Sequence, residues 1–269
     1  MKNFENKNVL ITGGASGIGK IMGRILLEKG ANLIIWDINE AGCKQVEYEF
    51  KHLGKVSYYV VDISDRDDID KVAEQTLADH KIVDLLINNA GIVFGKYFHE
   101  HKTQDIIKTM SINAEAPMLV TSKFLPSMMQ QDSGHICNIA SSAGLISNPR
   151  MSVYAASKWA VVGWSDSLRL EMKKLKSKVG VTTVTPYYIN TGMFDGVKSV
   201  IPILKPEYAA KKIINGIEKS KIYVSMPWSV WFVRLGQGLM PIWFFDWFIG
   251  GVMGIYKGMD EFTGRVIKK

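Results

Sequence analysis

Short apolar runs recur along the chain, and each is followed by a longer stretch whose apolar residues are spaced three or four apart. Runs rich in β-branched residues predict buried strands, whereas the longer period predicts amphipathic helices. Strands and helices in alternation predict an α/β fold, with a doubly wound parallel sheet of about seven strands covered by helices on both faces. The strands predicted individually are Val9–Ile11, Leu33–Asp37, Val56–Val61, Val83–Ile87, His135–Ala140 and Val181–Thr185.

A glycine-rich turn follows the first predicted strand and opens the first helix. Gly13 permits the tight turn, Gly17 lets the backbone approach a pyrophosphate, and Gly19 lets the helix pack closely on the strand. The helix N-terminus offers free N–H groups and a positive dipole end to phosphates. The turn therefore predicts a dinucleotide-binding element of Rossmann type, the alternative being a glycine loop used only for turning. The cofactor contacts predicted here are Gly13, Ser16, Gly17, Ile18 and Gly19.

Asp37 ends the second predicted strand, 20 residues after Gly17. A carboxylate at that place can accept hydrogen bonds from the adenosine ribose hydroxyls, and it would repel a 2′-phosphate. The next residue, Ile38, offers no compensating positive charge, so the sequence favours NAD over NADP. The other interpretation, an aspartate that caps the next helix, is weaker because Asn39 can fill that role.

Polar and small residues also follow the third and fourth predicted strands. The carboxyl ends of parallel strands form the edge at which a doubly wound sheet binds its ligand. Asp62 could meet the adenine or cap the next helix, and both interpretations stay open. The cofactor contacts predicted at these two strand ends are Asp62, Ile63, Asn89, Ala90 and Gly91.

Tyr154 and Lys158 lie four residues apart in a segment predicted to be helical, so both side chains project from one face. A free tyrosine has a pKa near ~10, and a lysine ammonium held close to it lowers that pKa toward the working range. Ser141 ends the fifth predicted strand, 13 residues before Tyr154. Asn113 lies inside a helix predicted from about Thr103 to Met129, where most asparagines are solvated.

Composition narrows the class of protein. The chain has 269 residues, 47% of them hydrophobic, which is enough for one large domain with a substantial core. Two cysteines provide no disulfide framework, and no cluster of cysteine and histidine indicates a metal. The net charge of +7 suits anionic lipid or cofactor phosphates, or an ordinary basic surface, and no nucleic-acid-binding motif is present.

These motifs, in this order, resemble the short-chain dehydrogenase/reductase family of the single-domain type. The glycine pattern of residues 12–19 and the Asn-Asn-Ala-Gly run of residues 88–91 match family motifs, and the similarity extends from about residue 5 to residue 225. Four residues fall where the family has its catalytic tetrad. They are Asn113, Ser141, Tyr154 and Lys158.

The resemblance implies a role for each of these residues. Tyr154 would exchange a proton with the substrate hydroxyl or carbonyl, and Lys158 would hold the nicotinamide ribose. Ser141 would hydrogen-bond the developing alkoxide, and Asn113 would hold a water that connects Lys158 to solvent. Ile189 and Thr191 match the family's contacts to the nicotinamide carboxamide. The family also implies a homodimer or homotetramer.

The last third of the chain resembles the branch of retinol dehydrogenases and 17β-hydroxysteroid dehydrogenases. The segments that match are Pro186–Tyr187, Asn190–Phe194 and Leu204–Tyr208. The branch implies an apolar substrate, namely a steroid, a retinoid or a long-chain or lipid-like alcohol or ketone. It is usually membrane-associated, and a soluble relative is expected here because the N-terminal apolar anchor of that branch is missing. An isomerase or dehydratase on the same fold, and a non-catalytic NAD-binding protein at a membrane, are the alternatives.

The composition changes after the predicted catalytic domain, which covers residues 1–226. The extension, residues 227–269, holds four of the seven tryptophans: Trp228, Trp231, Trp243 and Trp247. Charged residues, proline and glycine interrupt it, so no membrane-spanning helix is predicted. Residues 227–256 could instead lie on a membrane surface, roof an apolar pocket or bury a subunit interface. Lys257, Arg265, Lys268 and Lys269 would suit lipid headgroups, and the expected location is cytoplasmic, with a peripheral place on a membrane as the alternative.

Overall fold

The computed structural model describes residues 3–264, apart from the side chain of Trp231. The strands are β1 (Asn8–Thr12), β2 (Asn32–Asp37), β3 (Val56–Val60), β4 (Leu85–Asn88), β5 (His135–Ile139), β6 (Gly180–Pro186) and β7 (Tyr223–Met226). The α-helices are α1 (Gly17–Glu28), α2 (Glu40–Phe50), α3 (Arg66–His80), α4 (Thr103–Met110), α5 (Ala116–Gln130), α6 (Ser152–Lys174), α7 (Pro206–Glu218), α8 (Val230–Leu239) and α9 (Ile242–Asp246). Arg265, Lys268 and Lys269 lie outside the described residues.

The seven strands form one parallel sheet in the order β3-β2-β1-β4-β5-β6-β7. This confirms the predicted doubly wound sheet, and β7 is the strand that the apolar pattern did not locate individually. The strand order reverses between β1 and β4. A reversal of this kind opens a crevice at the carboxyl ends of the strands, where such folds bind their ligands.

Helices cover both faces of the sheet, and the strand residues alternate between the two cores. Ile11 on β1 packs with Met22 of α1 and Ile213 of α7 in one core. Its neighbour Leu10 packs with Phe124 of α5 in the other core, which also contains residues of α3 and α6. Because side chains point alternately to opposite faces of a strand, continuous apolar runs are required when both faces are buried.

The long helical segment predicted over residues 103–129 is not one regular helix. Helix α4 ends at Met110, a π-helical turn spans Ser111–Glu115, and α5 then begins. Asn113 lies in that turn and is fully buried, so it is not one of the solvated asparagines that are usual inside helices. Single π turns inside α-helices occur frequently at functional sites.

The sheet ends with β7, and the chain continues through α8, α9 and a π-helical turn at Trp247–Val252. Phe245 and Ile249 from this region pack on Ile146 and Ile255 and so attach it to the body of the protein. Within residues 3–264, no helix has both the length and the apolar character that crossing a bilayer requires. The division of the chain at residue 226 stays a prediction.

Candidate active site

A cavity of about 350 Å³ lies at the carboxyl edge of the sheet. Every residue predicted to contact the cofactor lines it except Gly19, and every predicted catalytic residue lines it except Asn113. Lining residues that were not singled out from the sequence include Trp36, Val61, Ile92, Lys108, Ile112 and Ile139. One cavity therefore joins the glycine turn, the two acidic strand ends and the Tyr-Lys pair.

Glycine is required at three positions of the first turn, for steric reasons that differ between them. Gly13 and Gly17 have φ angles of +65° and +55°, a region that side chains rarely adopt. A Cβ on Gly19 would lie 2.3 Å from the carbonyl oxygen of Gly13, so helix α1 could not pack so closely on the turn. A Cβ on Gly17 would meet nothing nearer than Thr191 at 3.8 Å. The backbone at Gly17 thus faces open space in the cavity, as a bound pyrophosphate requires.

The segment after β4 holds the glycine turn in place. The Nδ2 group of Asn89 donates to the carbonyl oxygens of Thr12 and Gly13, at 3.0 and 3.1 Å. The Thr12 hydroxyl accepts from the backbone N–H groups of Asn89 and Ala90. Thr12 was not predicted as a site residue, although its place between a buried strand and a glycine turn is a signal that could have identified it.

Two carboxylates occupy the neighbouring strand ends. Asp37 accepts hydrogen bonds from the backbone N–H groups of Ala15 and Asn39, both at 3.0 Å. Asn39 accepts from Gly42 N–H and caps α2 as predicted. Asp62 accepts from the backbone and hydroxyl of Ser64.

Asp62 does not cap the helix that follows it. Asp65 is the N-cap residue of α3, and its carboxylate accepts from the first-turn N–H groups of Asp67 and Asp68. The capping interpretation of Asp62 is therefore wrong, and the Asp62 side chain instead lines the cavity beside Asp37.

Ser141, Tyr154 and Lys158 come together in the cavity, and all three are buried. The Lys158 ammonium lies 5.8 Å from the centroid of the Tyr154 ring and donates to the carbonyl oxygen of Ile139 at 2.9 Å. Ser141 accepts from the backbone N–H of Ala143, which fixes its side chain at the end of β5.

The protonation of the pair differs from the expectation. Burial raises the pKa of Tyr154 to about 12, and a hydrogen bond from the Ser141 hydroxyl acts in the opposite direction. Burial also lowers the pKa of Lys158 to about 8. In the chain alone, desolvation of both groups therefore outweighs their mutual attraction, and the expected lowering of the tyrosine pKa by the lysine is not seen.

Asn113 lies behind the cavity. A Cβ on Gly91 would lie 3.2 Å from Asn113 Oδ1 and 3.7 Å from Lys158 Nζ, so the two side chains approach the backbone at the same point. The Nδ2 group of Asn113 donates to the hydroxyl of Ser157 at 3.2 Å, and that hydroxyl donates to the Tyr154 carbonyl oxygen at 2.7 Å. Ser157 was not predicted, because nothing in its sequence context marks it.

Aromatic rings form the wall next to Tyr154. The Phe194 ring lies edge-on to the Tyr154 ring, with centroids 6.0 Å apart and planes at 80°. Tyr188 and Phe262 contact Phe194 from other sides, at centroid distances of 5.0 and 6.5 Å. Ile189 and Thr191 line the cavity in the same loop. Through Phe194, the wall presents an apolar surface to the part of the cavity next to the Tyr154 ring.

Comparison with known proteins agrees with this geometry. A family model described as short chain dehydrogenase matches residues 7–200. Mouse epidermal retinol dehydrogenase 2 is 34% identical over 271 residues, which cover 98% of this chain and 87% of that protein. Human estradiol 17-beta-dehydrogenase 11 is 33% identical over 243 residues, which cover 89% and 81%.

Solved structures show the same fold. A short-chain dehydrogenase/reductase from Burkholderia phymatum in complex with NAD has a TM-score of 0.81 at 25% identity, covering 88% of this chain and 95% of that one. A metagenomic short-chain oxidoreductase in complex with NADP has a TM-score of 0.71 at 27% identity, covering 82% and 95%. The chain therefore belongs to the short-chain dehydrogenase/reductase family of oxidoreductases, and its relatives include the retinol and estradiol dehydrogenases that its last third resembles.

Proposed function

We propose that this protein is an NAD-dependent oxidoreductase that interconverts a hydroxyl and a carbonyl group on an apolar substrate, such as a steroid, a retinoid or a long-chain alcohol. One observation carries the proposal. Ser141, Tyr154 and Lys158 line the same cavity as the glycine turn and the Asp37 carboxylate. That arrangement places groups able to move a proton within reach of a dinucleotide held by the turn.

Each buried side chain has a role in this chemistry. Tyr154 would take the proton from the substrate hydroxyl or return it to a carbonyl, and Ser141 would hydrogen-bond the substrate oxygen as its charge changes. Lys158 would orient the nicotinamide ribose and, when protonated, favour the phenolate form of Tyr154. The bound dinucleotide supplies or accepts the hydride.

Asn113 acts mainly by positioning. Its amide holds the Ile92 backbone and the Ser157 hydroxyl, and these contacts fix the strand end and the helix that carries Lys158. Any water that connects Lys158 to solvent would use the remaining acceptor capacity of Asn113 Oδ1, since each carbonyl oxygen has two lone pairs.

The charge at the adenosine end of the cavity supports NAD rather than NADP. Asp37 and Asp62 both line that end, and Ile38, which lines it as well, carries no charge. Two carboxylates close to a 2′-phosphate would repel it, whereas two ribose hydroxyls could donate to Asp37. The cofactor contacts proposed for the other end are Gly91, Ile189 and Thr191.

An absorbance screen for reduced nicotinamide tests the proposal, with steroids, retinoids, long-chain alcohols and 3-oxo lipids offered together with NAD or NADP. We expect turnover with NAD that Tyr154→Phe abolishes while NAD binding is retained. Robust turnover in the Tyr154→Phe protein would refute the assigned mechanism. An isomerase or dehydratase would consume substrate without net change in the nicotinamide, and a non-catalytic protein would bind NAD and convert nothing.

The same proposal includes peripheral contact with a membrane. Among the side chains that the structure describes between residues 228 and 252, ten large apolar ones are exposed, and we call them the apolar patch: Trp228, Phe232, Leu235, Leu239, Met240, Ile242, Trp243, Trp247, Phe248 and Val252. None of the described residues from 227 to 256 lines the cavity, so the patch does not roof it. At the corner between α8 and α9, Leu239, Ile242 and Trp243 are exposed by 70% or more. An exposed apolar corner suits insertion among lipid headgroups.

For the assembly in solution, the family resemblance supports a homodimer or homotetramer.

A further inference from the structure

The last described residues, 258–264, cross the loop that follows β6, and we call them the C-terminal strap. Main-chain hydrogen bonds fasten the strap to this loop, and Glu261 on the strap pairs with Lys198 on the loop. The main-chain donors are Thr263 N–H and Gly264 N–H, both to Asp195 O at 2.9 and 3.2 Å, and Lys198 N–H to Gly258 O at 3.1 Å. The strap and the loop should therefore move as one unit.

The strap brings a phenyl ring to the wall above Tyr154. Phe262 packs directly on the backbone of Gly95, where a Cβ would lie only 2.1 Å from its ring. Its other side contacts Phe194, and Phe194 in turn lies edge-on to Tyr154. The position of the strap therefore decides where Phe194 sits over the candidate proton donor.

Arg150 fastens the strap to the body of the protein. Its guanidinium Nη1 donates to the carbonyl oxygens of Met259 and Asp260, at 3.1 and 2.7 Å, and its Cζ atom lies 5.5 Å from the centroid of the Tyr97 ring. The Arg150 backbone has a φ angle of +61°. This left-handed region is unfavourable for any residue that carries a side chain. Such conformations persist only where surrounding contacts determine them.

We infer that Arg150 is a positioning residue for substrate specificity, and that it holds the C-terminal strap so that Phe262 supports Phe194, the ring of the cavity wall against which a large apolar substrate packs. This inference rests on the proposed function, since it names the wall of the same site. A large apolar substrate would touch this wall, whereas a small secondary alcohol would reach Tyr154 and Ser141 without touching it.

The consequence for kinetics is selective. Releasing the strap removes apolar contact from the large substrate, so its KM should rise while kcat for a small alcohol is unchanged. Release also lets water reach Tyr154, and the burial that raises the pKa of Tyr154 would be relieved. The pH profile of kcat/KM should therefore shift to lower pH, which a loss of folded protein alone would not produce.

Arg150→Asn is the variant that tests the inference, because asparagine tolerates a positive φ angle but cannot span to the two strap carbonyls. Lys176→Asn is the matched control, since Lys176 is an exposed cation with a φ angle of +57° that lies just beyond the C-terminal end of α6. We expect Arg150→Asn to raise the KM for a long apolar alcohol about tenfold. Lys176→Asn should leave the KM for the long alcohol and the KM for a small secondary alcohol unchanged.

Hydrogen exchange of peptides covering residues 194–199 and 258–264 gives a readout independent of turnover. Exchange should accelerate in Arg150→Asn and not in Lys176→Asn. Unchanged exchange, or faster exchange with an unchanged KM for the long alcohol, would overturn the inference. If the wild-type protein turned over no alcohol, the proposed function would fail. Exchange and equilibrium dialysis of the long alcohol with the NAD-loaded protein would then still decide the role of Arg150.

Discussion

The side-chain amide of Asn113 pairs with the main chain of Ile92 as a second peptide group would. Its Oδ1 accepts from the Ile92 N–H, and its Nδ2 donates to the Ile92 carbonyl oxygen, each at 2.8 Å. Through Ser157 the same amide reaches the carbonyl of Tyr154. One buried side chain thus connects the loop after β4, the π turn and the helix that carries the Tyr-Lys pair.

Asn113→Ala should lower the free energy of unfolding by about 2–4 kcal/mol. The change leaves the Ile92 N–H and carbonyl without their partners in a partly buried site, and each such group costs up to about 1–3 kcal/mol when water does not replace the lost partner. Urea unfolding followed by circular dichroism measures the loss. Turnover in the proposed assay should fall as well. The Gly91 backbone lies between the side chains of Asn113 and Lys158, so loss of the Asn113 amide should leave the backbone next to Lys158 less well held.

Asn215→Ala is the control for that experiment. Asn215 is exposed on α7, and alanine is the better helix former, so this variant should be as stable as the wild type or slightly more so. A loss of stability at Asn113 no larger than the change at Asn215 would show that the pairing with Ile92 contributes little.

Asp37→Asn should weaken the preference for NAD. The amide keeps one acceptor for the Ala15 and Asn39 N–H groups, but it removes the negative charge that repels a 2′-phosphate. Loss of a charged hydrogen bond is worth about 1.5–3 kcal/mol, so the ratio of kcat/KM for NAD over NADP should fall roughly ten- to a hundredfold. Asp62→Asn is the comparison, since it removes the other carboxylate of the cavity. An unchanged ratio of kcat/KM for NAD over NADP in Asp37→Asn would show that Asp37 does not read the ribose.

Gly17→Ala and Gly19→Ala should separate cofactor binding from folding. Alanine at Gly17 has room but must adopt a φ angle of +55°, so stability falls by about 1 kcal/mol while NAD affinity falls sharply. At Gly19 the new Cβ has no room next to the Gly13 carbonyl, so stability falls by about 3 kcal/mol. Urea unfolding and calorimetric titration with NAD measure the two effects.

Gly163→Ala serves as the control because a Cβ at that helical position would meet nothing within 4 Å. It should stabilise the protein by about 0.5–1 kcal/mol. NAD affinity lost equally at Gly17 and Gly163 would contradict the role given to the glycine turn.

Much of this site could be predicted because its residues stand in short, ordered motifs. The turn at Gly13, the carboxylate at Asp37 and the Tyr154–Lys158 pair each combine a residue type with a spacing that the chemistry requires. The strand pattern then placed those motifs on one edge of a sheet. Local periodicity is enough for such predictions, because both faces of each strand are buried.

The rest depends on contacts between segments that are distant in the sequence. The π turn at Asn113 exists because its amide meets Ile92 and Ser157, and no local pattern announces that pairing. Burial reverses the expected pKa change of Tyr154, since desolvation depends on everything that packs around the ring. The wall formed by Phe262 and Phe194 joins residues 68 positions apart.

The buried pair should make stability depend on pH in two opposite ways. Burial lowers the pKa of Lys158 from 10.5 to about 8. Between those values the unfolded chain holds a proton that the folded chain has lost, so stability rises with pH across this window. Burial raises the pKa of Tyr154 from 10.0 to about 12, so the unfolded chain loses its proton first and stability falls as pH rises above 10.

Lys158→Met and Tyr154→Phe separate the two contributions in urea unfolding measured from pH 7 to pH 11. Relative to Lys158→Met, the wild type should gain on the order of 3 kcal/mol as the pH rises from below 8 to 10.5. In Tyr154→Phe, the free energy of unfolding should no longer fall above pH 10 as it does in the wild type. Parallel curves for the wild type and Lys158→Met would show that the lysine is not desolvated in the folded protein.

The apolar patch should carry the protein onto vesicles. Leu239 and Trp243 are 75% and 70% exposed at the α8–α9 corner, whereas Phe245 behind them is buried. Replacing both exposed residues by serine therefore removes apolar surface without opening the core. Since burial of each side chain is worth about 1.5–3 kcal/mol, vesicle partitioning should fall tenfold or more.

Sedimentation with vesicles of neutral lipid, with and without anionic lipid, measures that partitioning. Trp159→Ser is the matched control, because Trp159 is 47% exposed on α6 and is not one of the patch residues. Light scattering of the same proteins tests the competing occupant, a second copy of the chain. The membrane proposal would be wrong if the intact protein sedimented with neither kind of vesicle. If the double serine variant then differed from the wild type only in oligomeric mass, the patch would be a subunit interface.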